Sequence, residues 1–327
     1  MSRLLEVSHL SKFYTNKKGL FKGTQETVKA VNDISFFVEE QETLGIVGES
    51  GCGKSTTGRA VLRLHEPTEG EVRFRGTDIL SLSQEELRPY RQKMQIVFQN
   101  ANSALDPRWT VERSLKEPIL LHEPGIAKGE LDDRIDQLME SVGFSPMYKK
   151  KYPHEFSGGQ RQRIGIAKAI SVNPEFVVCD EPVSALDVSV QAQVLNLMKR
   201  LKAERKLSYL FISHDLSVIR FISDRVGVMY AGRIVELAET KEFFSNPLHP
   251  YSRVLMAAVP RPVVTEDKES LYQGIGTIAE VSKVGCPFCT RCPQATERCR
   301  QEMPAEREVS PGHRVMCHLY EAGAIRS

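Results

Sequence analysis

The sequence predicts an α/β fold organised by a glycine-rich loop between a strand and a helix, and three observations carry that prediction. A short apolar run, Thr43 to Val47, leads straight into Gly48-Glu49-Ser50-Gly51-Cys52-Gly53-Lys54-Ser55-Thr56. A second apolar run, Phe176 to Cys179, ends in two acids, Asp180 and Glu181. Around both, strand-like runs alternate with stretches whose apolar residues recur every three or four positions, the pattern of a sheet covered by helices.

With 327 residues the chain has room for one large domain and a smaller appendage. Its 44 Lys and Arg nearly balance 42 Asp and Glu, which excludes a basic footprint for nucleic acid and a polybasic membrane anchor. The start, Met-Ser-Arg-Leu-Leu-Glu-Val, lacks the basic-then-apolar order of a signal peptide, and no apolar run approaches the roughly 20 residues that cross a bilayer. A chain soluble by itself is expected.

Taken in order, residues 4–13 and 28–38 read as strands of a hairpin whose long loop, Thr15 to Thr27, holds Lys17, Lys18 and Lys22 as solvated charges. Another strand pair is expected around Val72 and Ile96. From Glu85 to about Ser171 the spacing turns helical, clearest at Leu131 to Val142 and Gly159 to Ile170, and predicts an inserted helical subdomain over 85–171. Strands Phe176 to Cys179 and Tyr209 to Ile212 then flank a helix at Val190 to Leu201, with the charges of Lys199 to Lys206 on a solvated face. Arg225 to Leu237 reads as a closing β-pair. Beyond His249-Pro250-Tyr251, prolines at 260, 262, 287, 293, 304 and 311 accompany a loss of apolar periodicity. The expected division is therefore 1–260 and a small C-terminal module, 261–327.

Residues Gly48 to Thr56 fit G-x-x-x-x-G-K-[ST] in the strand-loop-helix context that gives the pattern its meaning. The loop curls backbone N–H groups round phosphates at the positive end of a helix. Lys54 is expected at the β- and γ-phosphates and Ser55 at Mg²⁺. Asp180 is expected to hold the same Mg²⁺ through its water shell, while Glu181 faces the γ-phosphate and polarises the attacking water. Phe156-Ser157-Gly158-Gly159-Gln160 precedes a helix containing Arg161, Arg163 and Lys168, so its N–H groups also suit an anion. Each motif occurs once, and a partner chain must supply the second copy.

With these motifs in this order, residues 4–255 resemble the ATP-binding-cassette (ABC) ATPases. Ser157 to Gln160 match the family signature, with Phe156 where Leu is usual. The resemblance implies a RecA-like core with an antiparallel β subdomain and a helical subdomain. It also implies that Tyr14 stacks on adenine, that Gln99 senses the γ-phosphate and joins Ser55 and Asp180 at the metal, and that His214 clamps the γ-phosphate. Ser184 to Asp187 would form the D-loop, with Asp187 at the nucleotide. Two such cassettes sandwich two ATP molecules in that family, and Asn100 to Thr110 is the expected docking surface for membrane subunits.

Seven cysteines are distributed unevenly. Cys52 and Cys179 read as small buried hydrophobes, whereas Cys286-x₂-Cys289-x₂-Cys292-x₆-Cys299 and Cys317 crowd a proline-rich segment with too few apolar residues for its own core. Thiols at this density suggest an iron–sulfur cluster or a Cys₄ zinc site rather than disulfides. With His249-Pro250-Tyr251 followed by the module Cys286-Pro287-Phe288-x₂-Arg291-Cys292-Pro293, which ends near His313-Arg314-Val315-x-Cys317-His318, the resemblance narrows to the oligopeptide and dipeptide importer branch. It implies a [4Fe-4S] cluster on Cys286, Cys292, Cys299 and Cys317, with Cys289 spare and zinc the alternative. His313 and His318 are expected in supporting or surface positions.

The implied function is an ATP-hydrolysing subunit that energises a peptide importer at the cytoplasmic face of the bacterial plasma membrane. It would work with a second, homologous ATPase subunit, two transmembrane permease subunits and an extracytoplasmic binding protein. Nickel, glutathione or another small solute are alternative cargoes, and a soluble ABC ATPase acting on ribosomes or DNA is the alternative from another class.

Overall fold

The computed structural model describes residues 2–16, 26–100, 103–258, 282 and 284–321. Lys17, Lys18 and Lys22, and the expected boundary at 260/261, lie outside these residues.

Strands β1 (Arg3–Asn16) and β2 (Glu26–Glu39) pair antiparallel, with Leu5 opposite Val38 and Val7 opposite Phe36. Strand β3 (Thr43–Val47) enters a second sheet, and after helix α1 (Lys54–Val61) the chain returns to pair β4 (Glu69–Phe74) with β1 and add the short β5 (Thr77–Asp78). Helix α2 (Gln84–Lys93), opened by a capping box between Ser83 and Glu86, runs directly into β6 (Met94–Val97). Val72 and Ile96 are therefore not partners. Val72 faces Val7 in the antiparallel sheet, whereas Ile96 lies parallel to Val178 in the other. The expected helical stretch over 85–171 is corrected in the same way, since a four-residue strand of the core sheet sits inside it. Met94-Gln95-Ile96-Val97 is too short to disturb the helical spacing on either side.

The helical layer consists of α3 (Val111–His122), α4 (Lys128–Ser141) and α5 (Gly158–Ile170). The chain then alternates through β7 (Phe176–Asp180), α6 (Val188–Arg205), β8 (Ser208–Ser213), α7 (Leu216–Ile222), β9 (Arg225–Tyr230) and β10 (Arg233–Glu239). Every residue of β3, β7 and β8 is buried, which is why these strands read as apolar runs without alternation. Val177, Cys179, Tyr209 and Phe211 pack into the helical side of the core, and Phe176, Val178, Leu210 and Ile212 into the side under the antiparallel sheet. Each such large apolar side chain stabilises the fold by about 1.5–3 kcal/mol relative to exposure.

Strand order in the larger sheet is β11-β12-β10-β9-β3-β8-β7-β6, where β11 (Glu306–Ser310) and β12 (His313–Met316) come from the cysteine-rich end of the chain. Arg225 to Leu237 does not close the sheet, because Glu236 pairs onward with Val315. The tail also shares the main core, with Cys286, Phe288 and Cys289 buried in it and the Phe288 ring 5.3 Å from Tyr230 and 5.4 Å from Tyr251. Its shortage of apolar residues is met by packing on the rest of the chain.

Glu236 joins the two parts electrostatically. Its buried carboxylate accepts the N–H groups of Leu248 and His249 at 2.8 Å each and lies 2.8 Å from His313 Nε2. His313 is thus fully buried on a carboxylate rather than at the surface. On α6 the solvated-face expectation holds for Lys199, Arg200 and Lys206, while Lys202 is drawn to Asp224 at 2.6 Å.

Candidate functional site

The ends of the parallel strands assemble the site. Loops leaving β3, β6, β7 and β8 carry Lys54, Gln99, Glu181 and His214, and open α/β sheets bind ligands at this carboxyl edge. A cavity of about 660 Å³ opens there, lined by Gly48–Gly51, Gly53–Thr56, Gln99, Glu181 and His214, with Ala30 and Leu255 at its wall.

Gly53 sits at φ 110, and a Cβ there would meet the Ala30 carbonyl oxygen at 2.0 Å, so only glycine lets the loop turn into α1. Lys54 is buried, its Nζ donating to the carbonyls of Gly48 at 2.7 Å and Glu49 at 2.9 Å. At the base of the cavity the Ser55 hydroxyl donates to Asp180 Oδ1 at 2.6 Å, and Asp180 Oδ2 lies 3.5 Å from Arg59. The hydroxyl and carboxylate expected at one divalent cation are therefore adjacent hard oxygen donors, the chemistry Mg²⁺ prefers.

Glu181 follows on the same strand end at φ 46, a left-handed conformation that costs a non-glycine residue of order 1–3 kcal/mol. Its Oε2 accepts from Gln99 Nε2 at 3.0 Å and lies 3.1 Å from His214 Nδ1. Gln99 also donates to Ser184 Oγ at 3.3 Å. Side chains from two other loops, Gln99 and His214, thus meet at the Glu181 carboxylate.

Other expected residues stand elsewhere. Tyr14 is at the end of β1, outside the cavity lining, with its hydroxyl 2.9 Å from His65 Nδ1. Ser157 and Gln160 form the capping box of α5, Gly158 and Gly159 follow in its first turn, and Asp187 begins α6; none lines the cavity. Cys52 turns its thiol inward, and burial pushes that thiol up.

Two contacts to the loop carry no sequence signal. The Glu49 N–H donates to the Tyr251 hydroxyl at 2.9 Å, where burial holds the phenol well above its ordinary value and so neutral. Arg291 forks onto the Glu49 carboxylate with Nη1 and Nη2 each at 2.9 Å. Separations of 202 and 242 residues hide both pairs from any local pattern.

The five tail thiols line a separate small pocket with His249, Phe288, His318 and Leu319. The backbone N–H groups of Phe288, Gln294 and Leu319 act to lower Cys286, Cys292 and Cys317 against their burial, and Cys299 Sγ lies 3.3 Å from the Thr296 hydroxyl. Burial, then the neighbouring thiols, push Cys286 up to about 12 and Cys317 up to about 11. His318 is engaged at both nitrogens, 3.0 Å from Glu321 Oε1 and 3.0 Å from the Glu302 carbonyl. Among the described residues no three His, Cys, Asp or Glu side chains are gathered as a ready-made site for one metal ion.

The family described as ABC transporter matches residues 31–184, and the family described as oligopeptide/dipeptide transporter, C-terminal region, matches residues 235–299. The chain is 49% identical over 322 residues to the oligopeptide transport ATP-binding protein AppF of Bacillus subtilis (strain 168), covering 97% of each chain. It is 46% identical over 316 residues to the dipeptide transport ATP-binding protein DppF of Haemophilus influenzae, covering 96% of each. Among solved structures it is similar to the dimeric post-hydrolysis state of the ATP-binding cassette MJ0796 bound to ADP and Pi, with a TM-score of 0.64 and 28% identity over 72% of this chain and 98% of that one.

Proposed function

The chain belongs to the ATP-binding-cassette transporter family, and from that membership we propose that it is the ATP-hydrolysing subunit of a membrane importer for dipeptides and oligopeptides. The observation that carries the hydrolytic part is the meeting of Gln99, Glu181 and His214 at the mouth of the phosphate loop.

In this reading the loop from Gly48 to Thr56 holds the phosphates of ATP, and Lys54 exchanges its loop carbonyls for β- and γ-phosphate oxygens. Ser55, Asp180 and Gln99 would hold Mg²⁺, which would supply charge neutralisation at the phosphates. Glu181 orients a water for in-line attack, while Gln99 and His214 fix the carboxylate and meet the γ-phosphate. A bond forms from the water oxygen to the γ-phosphorus, the bond to the bridging oxygen breaks, and ADP and phosphate leave. Phosphoryl transfer of this kind depends on placed charge rather than covalent catalysis.

Ser157 to Gln160, together with Asp187, serve the site of a second, homologous cassette. Their position outside this chain's own cavity supports that assignment. Tyr14 serves as the adenine platform once its hydroxyl leaves His65. ATP closes the pair and hydrolysis reopens it, moving two permease subunits docked near Asn100 to Thr110 at the cytoplasmic face of the plasma membrane. An extracytoplasmic binding protein delivers the cargo.

The cysteine-rich module would hold a [4Fe-4S] cluster on Cys286, Cys292, Cys299 and Cys317, with zinc as the alternative. That these four thiols line one small pocket supports the fit. The group would supply a covalent staple for the tail. Loading it requires the buried thiols to lose their protons and draw together.

Uptake into proteoliposomes tests the cargo. ATP-driven accumulation of a labelled dipeptide or tetrapeptide by the assembled transporter is expected; accumulation of nickel or glutathione alone would refute peptide as the substrate class.

A further inference from the structure

The phosphate loop contains a single acid, Glu49, beside its single base, Lys54. A carboxylate lining a phosphate cavity opposes binding of a polyanion unless something neutralises it. In this protein the neutralising group comes from the other end of the chain. Arg291 lies in the short loop between Cys289 and Cys292, its side chain is only 6% exposed, and both terminal nitrogens reach the two Glu49 oxygens at 2.9 Å. The guanidinium is held in place by aromatic faces, 5.6 Å from the Phe288 centroid and 5.8 Å from that of Tyr230. Tyr251 fixes the same loop residue through its backbone N–H. The fork is bidentate, with the guanidinium buried and the Glu49 carboxylate 39% exposed on the cavity side, and a bidentate arginine–carboxylate pair has strong directional preference.

We propose that Arg291 is a positioning residue for nucleotide binding, which neutralises Glu49 and so completes the electrostatics of the phosphate loop from the C-terminal segment. The inference rests on the nucleotide reading of the loop and adds to it a residue outside every nucleotide motif. Its consequence is graded by charge. Removing the guanidinium leaves a bare carboxylate at the cavity, and the penalty grows with the number of phosphates on the ligand. A tail that merely packed against the loop would give no such gradient.

The test titrates fluorescent analogues of ATP, ADP and AMP into the full-length chain with Mg²⁺, comparing wild type, Arg291→Ala, Arg291→Lys and the double variant Arg291→Ala/Glu49→Gln. Arg291→Ala is expected to weaken ATP about tenfold, ADP less and AMP least, a tenfold change corresponding to about 1.4 kcal/mol. Arg291→Lys, which keeps the charge and loses the fork, falls between. Adding Glu49→Gln to Arg291→Ala recovers at least fivefold of the ATP affinity. Should Arg291→Ala not fold, Arg291→Lys with and without Glu49→Gln gives the same comparison. Equal losses for all three nucleotides without recovery, or no loss at all, overturn the proposal. Wild-type ATP binding that survives Lys54→Ala instead overturns the nucleotide reading on which it stands.

Discussion

Gln99 Nε2 donates to the Glu181 carboxylate at 3.0 Å, tying the loop after β6 to the end of β7 across 82 residues of sequence. The bond aims the carboxylate into the cavity and leaves its orientation dependent on a neighbour that itself lines the phosphate site. Glu181 also keeps a left-handed backbone at φ 46, which the sheet imposes through its N–H bond to the Ile212 carbonyl at 3.0 Å. Strain held at one residue of a site marks a group whose placement matters to the chemistry.

Replacing Glu181 by Gln preserves shape and the bond to Gln99 but removes the basic oxygen facing the water. Hydrolysis is expected to fall at least about a hundredfold, while ATP affinity changes little and an ATP-bound dimer accumulates on a sizing column. Lys54→Ala is expected to fail earlier, at nucleotide binding. Single-turnover hydrolysis with a binding titration separates the two; normal turnover by Glu181→Gln would refute its role.

Much of this site was legible because its residues are local to strand ends. Gly48 to Thr56 and the Asp180-Glu181 pair announce themselves as interruptions of apolar runs. The sequence was silent wherever pairing is long-range. Val72 and Ile96 look alike in isolation, yet one belongs to an antiparallel sheet and the other to the parallel core. The tail looks separate because its few apolar residues, Phe288 and Val315, find partners in β9 and β10 and in α8 (Pro250–Ala257) rather than nearby. Arg291 and Tyr251 carry no mark of their contact with Glu49, since partners 242 and 202 residues away leave no periodicity to betray them.

Glu236 supplies a stability prediction. Glu236→Ala removes the acceptor for two buried N–H groups and for His313, leaving them unsatisfied. A loss of about 3 kcal/mol is expected in denaturant unfolding, with the tail becoming sensitive to limited proteolysis first. Glu236→Gln, which keeps one acceptor, is expected to cost less.

His249 sets a pH dependence. Burial pushes its imidazole down to about 4, and its neutral Nδ1 accepts the Tyr251 N–H at 3.0 Å to cap α8. The unfolded ring titrates near 6.5, so as pH falls the unfolded state takes the proton first. Stability from this residue is intact above 6.5 and is lost as pH falls from there toward 4, by at most about 3 kcal/mol. His249→Asn, which retains a capping oxygen, is expected to flatten the fall across that window in thermal melts.

The tail chemistry is read by composition. Anaerobically purified protein is expected to carry close to four irons and four sulfides per chain, retained in Cys289→Ser and lost in Cys299→Ser. One zinc per chain would replace the cluster assignment without touching the nucleotide site.

The central claim is most directly tested by ATP hydrolysis in the complex reconstituted with its permease subunits and binding protein. Hydrolysis is predicted to rise when the binding protein carries a short peptide, and to vanish in Glu181→Gln while ATP remains bound. Hydrolysis indifferent to peptide and undiminished in Glu181→Gln would contradict the account.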